Sequence, residues 1–469
     1  MKKIFLYILT LICISCSSIP PEITQNDKNL KMIGGKEALL DAIIYPDFAL
    51  ENSIEGTVNI MAYIDTLGLV KECEVLSGND FLNPAAIEAV QSQKFHPYYV
   101  NGKKSPVRVS FPISFSIKKE IDIKSLEEAR LQPLAREYLG REIITLNHYP
   151  AERSPGKLNN YYSEGLTWWP DSKAADAPYI IIDGKVNPKA FISHKNALKQ
   201  TSETIAGLTS LYLTTKNPVY AKRALKHINA WFLDENTAMI PDMKFAQSIP
   251  NRSKGRPTGI YEAMPLIEII RSVDQLRAFM TKDEIKKFQQ WLKDFNKFLV
   301  YDKFGIHLRA KKNIYATACL AQLVSIADFL EDEYLLITCR EYFEKITLPY
   351  ILSDDSPLIR PLDNQGLEYN LLSHADYLSV IANMLSDEYY DAWEKNDKNG
   401  RRLGDLINYI YSGLLNKRID RGPHYKGRYI SLYYAGKAYN NERYLNLWMK
   451  LQEDVGEIDF PLRNILLYE

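Results

Sequence analysis

The period of the apolar residues changes once along this chain, near residue 120, and a segment can serve only one period at a time. Before that point Gly56-Thr57-Val58-Asn59-Ile60-Met61-Ala62-Tyr63-Ile64 and Val107-Arg108-Val109-Ser110-Phe111-Pro112-Ile113-Ser114-Phe115 alternate with period two. Such alternation predicts strands with one face in a core and the other in water. Asp65-Thr66-Leu67-Gly68 reads as a turn, Leu69 to Leu76 as a further strand, and Asn101-Gly102 as a second tight turn. Asn83-Pro84-Ala85-Ala86-Ile87 opens a helix, with Asn83 as its cap and Pro84 in its first turn. These predict a small α+β sandwich, one or two helices on a three-stranded sheet, over residues 34–118. The polar stretch 16–33, with Pro20-Pro21, reads as a linker.

Beyond a second linker at 119–139 the period is helical. Leu198, Thr201, Ile205, Leu208, Leu211 and Tyr212 form one apolar stripe, and Asn217-Pro218 starts a partner helix through Ala221, Ala224, Leu225, Ile228 and Trp231. Thr281-Lys282-Asp283-Glu284 is a capping box ahead of Ile285, Phe288, Trp291, Leu292 and Phe295. Further helices are expected at about 261–280, 312–331, 333–350, 370–386, 402–416 and 428–452. Helical hairpins over residues 140–469 suit a bundle or an α/α toroid, and periodicity does not choose between them.

The 58 Lys and Arg balance the 58 Asp and Glu, which removes the basic surface that nucleic-acid binding needs. Lys2-Lys3 followed by an apolar run from Ile4 to Ile14 is too short to span a bilayer and reads as a signal peptide, residues 1–15. Ser15-Cys16 resembles the bacterial lipoprotein processing site, although Cys13 stands where Leu is usual. That resemblance implies a lipid on Cys16 as the sole membrane contact and a periplasmic chain anchored to the outer membrane; plain secretion is the alternative. Cys73, Cys319 and Cys339 are too scattered for a disulfide framework and read as packing residues.

Between residues 148 and 188 aromatics crowd among Pro and Gly: Arg153-Ser154-Pro155-Gly156, Tyr161-Tyr162-Ser163-Glu164-Gly165, Trp168-Trp169-Pro170-Asp171 and Asn187-Pro188. A long ordered loop of this kind is more often functional than not, and its flat rings suit sugar faces as well as cores. No pair of histidines has metal-ligand spacing, so neither a metal nor another cofactor is expected. His307 reads as a solvated loop residue, His374 as facing away from Tyr369, His96 and His227 as structural, and His424 as a residue beside the cleft. His194, at a helix start, fits capping or packing equally well.

Two resemblances follow. Tyr45-Pro46, Glu55-Gly56-Thr57-Val58, Asp65-Thr66-Leu67-Gly68, Ala85-Ala86-Ile87-Glu88-Ala89-Val90, Lys94-Phe95-His96-Pro97 and Asn101-Gly102-Lys103 resemble the C-terminal domain of TonB energy transducers. This implies a periplasmic module that binds a partner strand, from a periplasmic or outer-membrane protein, or a peptidoglycan-like surface, in a docking or localisation role rather than energy transduction. The arm motifs, with His194-Lys195-Asn196-Ala197-Leu198, Ala230-Trp231-Phe232-Leu233-Asp234, Phe245-Ala246-Gln247-Ser248-Ile249-Pro250, Gly255-Arg256 and Gly259-Ile260, resemble alginate lyases of polysaccharide lyase family 5 over about residues 140–440. That resemblance implies an α/α toroid whose cleft binds an anionic uronate polysaccharide and cleaves it by β-elimination.

Such a reaction must neutralise the uronate carboxylate, remove the C5 proton and protonate the leaving O4. The family's Asn-Asn-His aligns with Lys312-Asn313-Ile314, and its Arg and Tyr with Gln365 and Tyr369. The resemblance therefore makes Tyr369 and Asn313 the catalytic candidates, Tyr369 serving as both base and acid. Arg309, Lys311, Arg360 and His307 are further cations near the two sites. Tyr161, Tyr162, Glu164, Trp168, Trp169, Gln247, Arg256 and Lys312 are expected to bind substrate. Isoleucine at 314 cannot move a proton, which leaves a rival reading: a non-catalytic anionic-glycan binder, docked to a partner by its TonB-like domain.

Overall fold

In a computed structural model, the described residues are 20–25, 27–52, 54–115, 121–171, 177–182, 184–352, 367–416, 419, 425, 427–452 and 462–469. They form two compact units that divide between residues 120 and 121. Cys16, Asp183, Arg360, Gln365 and His424 lie outside the described residues, as does the side chain of Tyr369.

The first unit runs β1 (Glu22–Thr24), α1 (Gly35–Asp41), α2 (Asp47–Glu51), β2 (Gly56–Ile64), β3 (Val70–Ser77), α3 (Asn83–Gln91), β4 (Tyr99–Val100), β5 (Lys103–Lys104) and β6 (Val107–Phe115). The alternation in β2 and β6 is realised as an antiparallel pair, Gly56 opposite Phe115 and Ile64 opposite Val107. Val58, Ile60, Ala62, Val107, Val109 and Phe111 face a core closed by Ala86, Ala89 and Val90 of α3. Gly68 closes the β2–β3 turn at φ 85°, where a Cβ would stand 1.9 Å from the Phe95 carbonyl oxygen, so only glycine fits.

Two expectations are corrected here. The sheet has four strands in the order β1-β6-β2-β3, because residues 22–24, read as linker, pair parallel with β6. Asn83 does not cap α3; Leu82 holds that position. The chain turns earlier, where the Asn79 side chain accepts from the Phe81 N–H and the Asn79 carbonyl accepts from the N–H groups of Leu82 and Asn83.

The second unit is an all-α toroid of helical hairpins carrying a small strand-bearing arm. Its elements are α4 (Ile123–Leu131), α5 (Ala135–Gly140), β7 (Tyr162–Glu164), β8 (Trp168–Trp169), β9 (Ile180–Ile181), α6 (Ser193–Thr215), α7 (Pro218–Ile228), β10 (Phe245–Ser248), α8 (Leu266–Gln275), α9 (Lys282–Tyr301) and α10 (Lys303–Arg309). There follow α11 (Ile314–Leu330), α12 (Glu333–Tyr342), α13 (Leu348–Ile351), α14 (Leu367–Leu385), α15 (Leu403–Leu415), α16 (Ile430–Ala438) and α17 (Glu442–Gln452). α6, α8, α11, α14 and α16 pack in succession, and α7, α9, α12, α15 and α17 cover them. Residues Ala316 to Ala327 of α11 are buried without a break, as an inner helix demands, whereas α9 buries only one face, Phe288, Trp291, Leu292, Phe295 and Phe298. The Thr281 capping box and the Asn217 cap form as expected. The single helix expected over 428–452 is two, α16 and α17, because Asn440 turns left-handed at φ 47°. Residues 119–139, read as linker, carry α4 and most of α5.

Buried charge ties residues 462–469 to this ring. Glu268 of α8 accepts from the backbone N–H groups of Arg463 (2.5 Å) and Asn464 (2.8 Å). Arg428 donates to Glu127 of α4 at 2.6 Å, both side chains being buried. Burial raises the Glu268 carboxyl against the opposing pull of Arg463 and these N–H groups. On α14, burial lifts Asp376 to about 6, against Tyr425 and Ser431, which donate to it.

Two outcomes follow. Glu268→Ala strips two buried N–H groups of their acceptor and is expected to cost about 3 kcal/mol, read as a melting temperature several degrees lower; a loss under about 1 kcal/mol would mean that packing alone holds residues 462–469. Asp376 keeps its proton up to about 6 in the folded chain but releases it near ~4 when unfolded. The folded state therefore binds more protons across that window, and this group's contribution falls as pH rises. His227, held neutral down to about 4 by burial and by Arg223 and Arg141, acts in the opposite sense over the same range. Asp376→Asn is thus expected to gain on the wild type as pH goes from 4 to 6, by up to roughly 3 kcal/mol in the unfolding difference; a flat difference contradicts the assignment.

Candidate functional site

The arm is built around two carboxylates. Glu164 receives Arg153 on both oxygens, at 2.6 and 2.7 Å, together with the Tyr162 hydroxyl and the Phe191 N–H. Burial alone would raise the Glu164 carboxyl; Arg153, Phe191 and Tyr162 outweigh it and hold it below the usual range. Glu262 accepts from the Tyr161 hydroxyl at 3.0 Å and from Ser163 Oγ at 2.5 Å, and Ser163 Oγ in turn accepts from the Gln247 N–H. Tyr161, Tyr162 and Glu164 are buried, so their polar ends are occupied inside the arm. His194 is buried as well: its Nδ1 accepts from the Tyr162 N–H, and its Nε2 lies 2.8 Å from the Tyr149 carbonyl. Burial lowers its pKa against the pull of the Tyr149 and Leu146 backbone, and it locks the arm onto α6.

On this base sits a half-exposed cluster. β7 and β10 pair in parallel and bring Gln247 next to the arm. Gln247 holds a left-handed φ of 52°, a conformation that costs a non-glycine residue on the order of 1 kcal/mol. Its Oε1 accepts from Arg256 Nη2 (2.9 Å) and Thr258 Oγ1 (2.8 Å), and its carbonyl from Arg256 Nε. Gly165 lets Trp168 fold back over the chain, since a Cβ there would meet Trp168 Cδ1 at 2.5 Å. Asn187 Nδ2 then pins the Trp168 carbonyl, and Trp169 Nε1 donates to the Lys185 carbonyl.

The guanidiniums of Arg252 and Arg256 lie over the Trp168 ring, 4.8 and 5.9 Å from its centroid. Among the described residues neither Arg252 nor Arg256 has a carboxylate partner. Arg130, Arg153, Arg277, Arg340, Arg401 and Arg428 of the same unit all have one. Burial lowers the pKa of Arg256, with the Tyr315 phenol and the Glu262 carboxylate opposing.

Asn313 is the N-cap of α11: its Oδ1 accepts from the N–H groups of Tyr315 and Ala316. Among the described residues its amide nitrogen has no hydrogen-bond partner, beside the positive end of the helix. Lys312 precedes it, exposed. Tyr315 packs edge-on against Tyr261, ring centroids 5.4 Å apart, and the Tyr261 hydroxyl bonds that of Tyr377 on α14 at 2.8 Å. His307 is exposed on α10, and His374 is buried on α14.

The geometry thus joins Gln247, Arg256 and Trp168. It adds Arg252 and Tyr315, which sequence reasoning passed over although Tyr315 directly follows Ile314. An open concavity of about 550 Å³ near the C-terminal end of α14 has Asp387, Asp391 and Glu469 against Lys437, the wrong sign for a polyanion. Among the described residues no group of three or more His, Cys, Asp or Glu is placed to hold a metal ion.

Comparisons with known proteins agree with this architecture. Residues 41–117 match the family model for the Gram-negative bacterial TonB protein C-terminal region. The protein TonB of Vibrio cholerae is 30% identical over 106 residues, 22% of this chain and 43% of that protein, so the chain spans less than half the length of this curated relative. An alginate lyase from Bacteroides ovatus superposes with a TM-score of 0.60 at 20% identity, covering 74% of this chain and 94% of that one, a likeness of fold. An alginate lyase from Sphingomonas species A1 is matched at a TM-score of 0.41 and 14% identity, over 72% of this chain and 90% of that one. Residues 146–419, more than half of the chain, match the alginate lyase family model, and the chain belongs to that family, with a TonB C-terminal-like domain ahead of the lyase-like one.

Proposed function

We propose that this protein is a polysaccharide lyase that cleaves a uronate polysaccharide such as alginate by β-elimination. The observation that carries the reading is the pair of guanidiniums on the face of Trp168 that have no carboxylate partner among the described residues, Arg256 lying within electrostatic range of Tyr315 on α11. A pyranose ring offers C–H groups to an aromatic face and a uronate offers a carboxylate to a guanidinium, so one sugar satisfies both. Arg256 and the Asn313 amide neutralise the carboxylate while charge develops at C5, Tyr369 exchanges a proton with the reacting ring, and Lys312 adds positive field. Arg252, the more exposed of the two, takes an adjoining sugar. The TonB-like domain supports an envelope or extracellular setting and a protein partner there, with Cys16 as the lipid attachment point.

The second reading is a non-catalytic binder of the same anionic glycans, favoured by Ile314 and Gln365 where the family resemblance places His and Arg.

The test is appearance of the unsaturated uronate product, followed by its ultraviolet absorbance, with residues 19–469 on polymannuronate, polyguluronate and other uronates. Activity is expected, abolished by Tyr369→Phe. Arg256→Ala is expected to raise KM by about tenfold or more, an effect that shrinks with added salt. Binding without product on any substrate would favour the binder; neither product nor binding would leave a likeness of fold alone.

A further inference from the structure

Most tyrosine hydroxyls around the arm are committed to protein partners: Tyr161 to Glu262, Tyr162 to Glu164, Tyr261 to Tyr377 and Tyr342 to the Arg309 carbonyl. Tyr315 differs. It is half-buried on the first turn of α11, yet its hydroxyl is neither hydrogen-bonded among the described residues nor shut away from solvent. Exposed surface tyrosines such as Tyr301 and Tyr334 are also open, but they stand apart from any cluster of the kind found here. Tyr315 has its backbone N–H bonded to Asn313 Oδ1, its ring edge-on to Tyr261, and its phenol within electrostatic range of Arg256.

Three features of a reacting group coincide at this one side chain. The ring is oriented by packing, the polar end is uncommitted among the described residues, and the Arg256 guanidinium is within electrostatic range. Ile314, its neighbour, offers no proton acceptor, so the phenol that follows is the nearest titratable group on that helix end.

We propose that Tyr315 is the catalytic base. The inference rests on the lyase reading above and refines it: Tyr315 takes the C5 proton, and Tyr369 is left to protonate the leaving oxygen. Tyr315 first gives its own proton to solvent; the C5–H bond then breaks and that proton passes to the Tyr315 oxygen. The electron pair released becomes the C4=C5 double bond, the C4–O4 bond breaks, and O4 leaves with a proton from Tyr369. A proton then returns from Tyr315 to Tyr369 through water, and the site is reset. Asn313 and Arg256 hold the substrate carboxylate while charge builds at C5.

The deciding experiment compares Tyr315→Phe and Tyr369→Phe with the wild type for kcat, KM and uronate-oligosaccharide binding, with thermal melting as the check on folding. Phenylalanine keeps the ring edge on Tyr261, so the Tyr315 variant is expected to melt with the wild type and to bind with KM within about threefold. Its kcat is expected to fall by about 100-fold or more. Should the Phe variant fail to fold, Tyr315→Gln is measured in its place, with the same expectation for kcat. An active wild type with kcat kept in the Tyr315 variant but lost in Tyr369→Phe overturns the proposal and leaves the lyase reading intact, with Tyr369 as both base and acid. A wild type inactive on every uronate overturns both.

Discussion

The candidate site depends on one buried carboxylate. Glu262 accepts from Tyr161 and Ser163 on the arm while its own backbone belongs to the turn, Pro257–Ala263, that follows Arg256 and carries Tyr261. A carboxylate removed from water must be repaid by donors, and here the donors come from a different stretch of chain. That requirement draws the arm onto the start of α8. Once it is there, the Gln247 N–H bonds Ser163, the Gln247 side chain holds Arg256, and Arg256 faces Trp168. The strained backbone of Gln247 is tolerated because its N–H, carbonyl and amide oxygen are all engaged.

This division of labour explains why the aromatic-rich arm contains two kinds of residue. Tyr161, Tyr162 and Glu164 are buried, and the hydroxyl protons and carboxylate oxygens they carry are engaged within the protein. Trp168, Arg252 and Arg256 are held on that construction with charge left over. In a chain of zero net charge, two arginines on one indole that have no carboxylate partner among the described residues are an arrangement a uronate can complete. Asn313 shows the same economy: its oxygen starts α11, and its nitrogen has no partner among the described residues.

Much of this was legible in the sequence, for stated physical reasons. The period-two runs became β2 and β6 because each has one face to bury; the capping box at Thr281 and the Asn217-Pro218 start worked because they satisfy local backbone groups without help from the rest of the fold. What failed was long-range. Glu22 to Thr24 form a strand only because β6 offers an edge, and α4 lies in a supposed linker because Arg428, some three hundred residues away, pairs with Glu127. Arg252 and Tyr315 were missed for a similar reason. Nothing local distinguishes a committed hydroxyl or guanidinium from an uncommitted one, and the partners that decide it come from other segments.

Lyase and binder alike require an anionic sugar to complete the Trp168–Arg256 cluster. A crystal structure of the protein with a uronate tetrasaccharide, solved with the inactive Tyr369→Phe chain, tests it most directly. One pyranose is expected against Trp168, with a carboxylate in hydrogen-bond reach of Arg256 and the Asn313 amide, and C5 of that ring facing the Tyr315 hydroxyl. A sugar bound elsewhere, or bound here with its carboxylate turned away from Arg256, would contradict it.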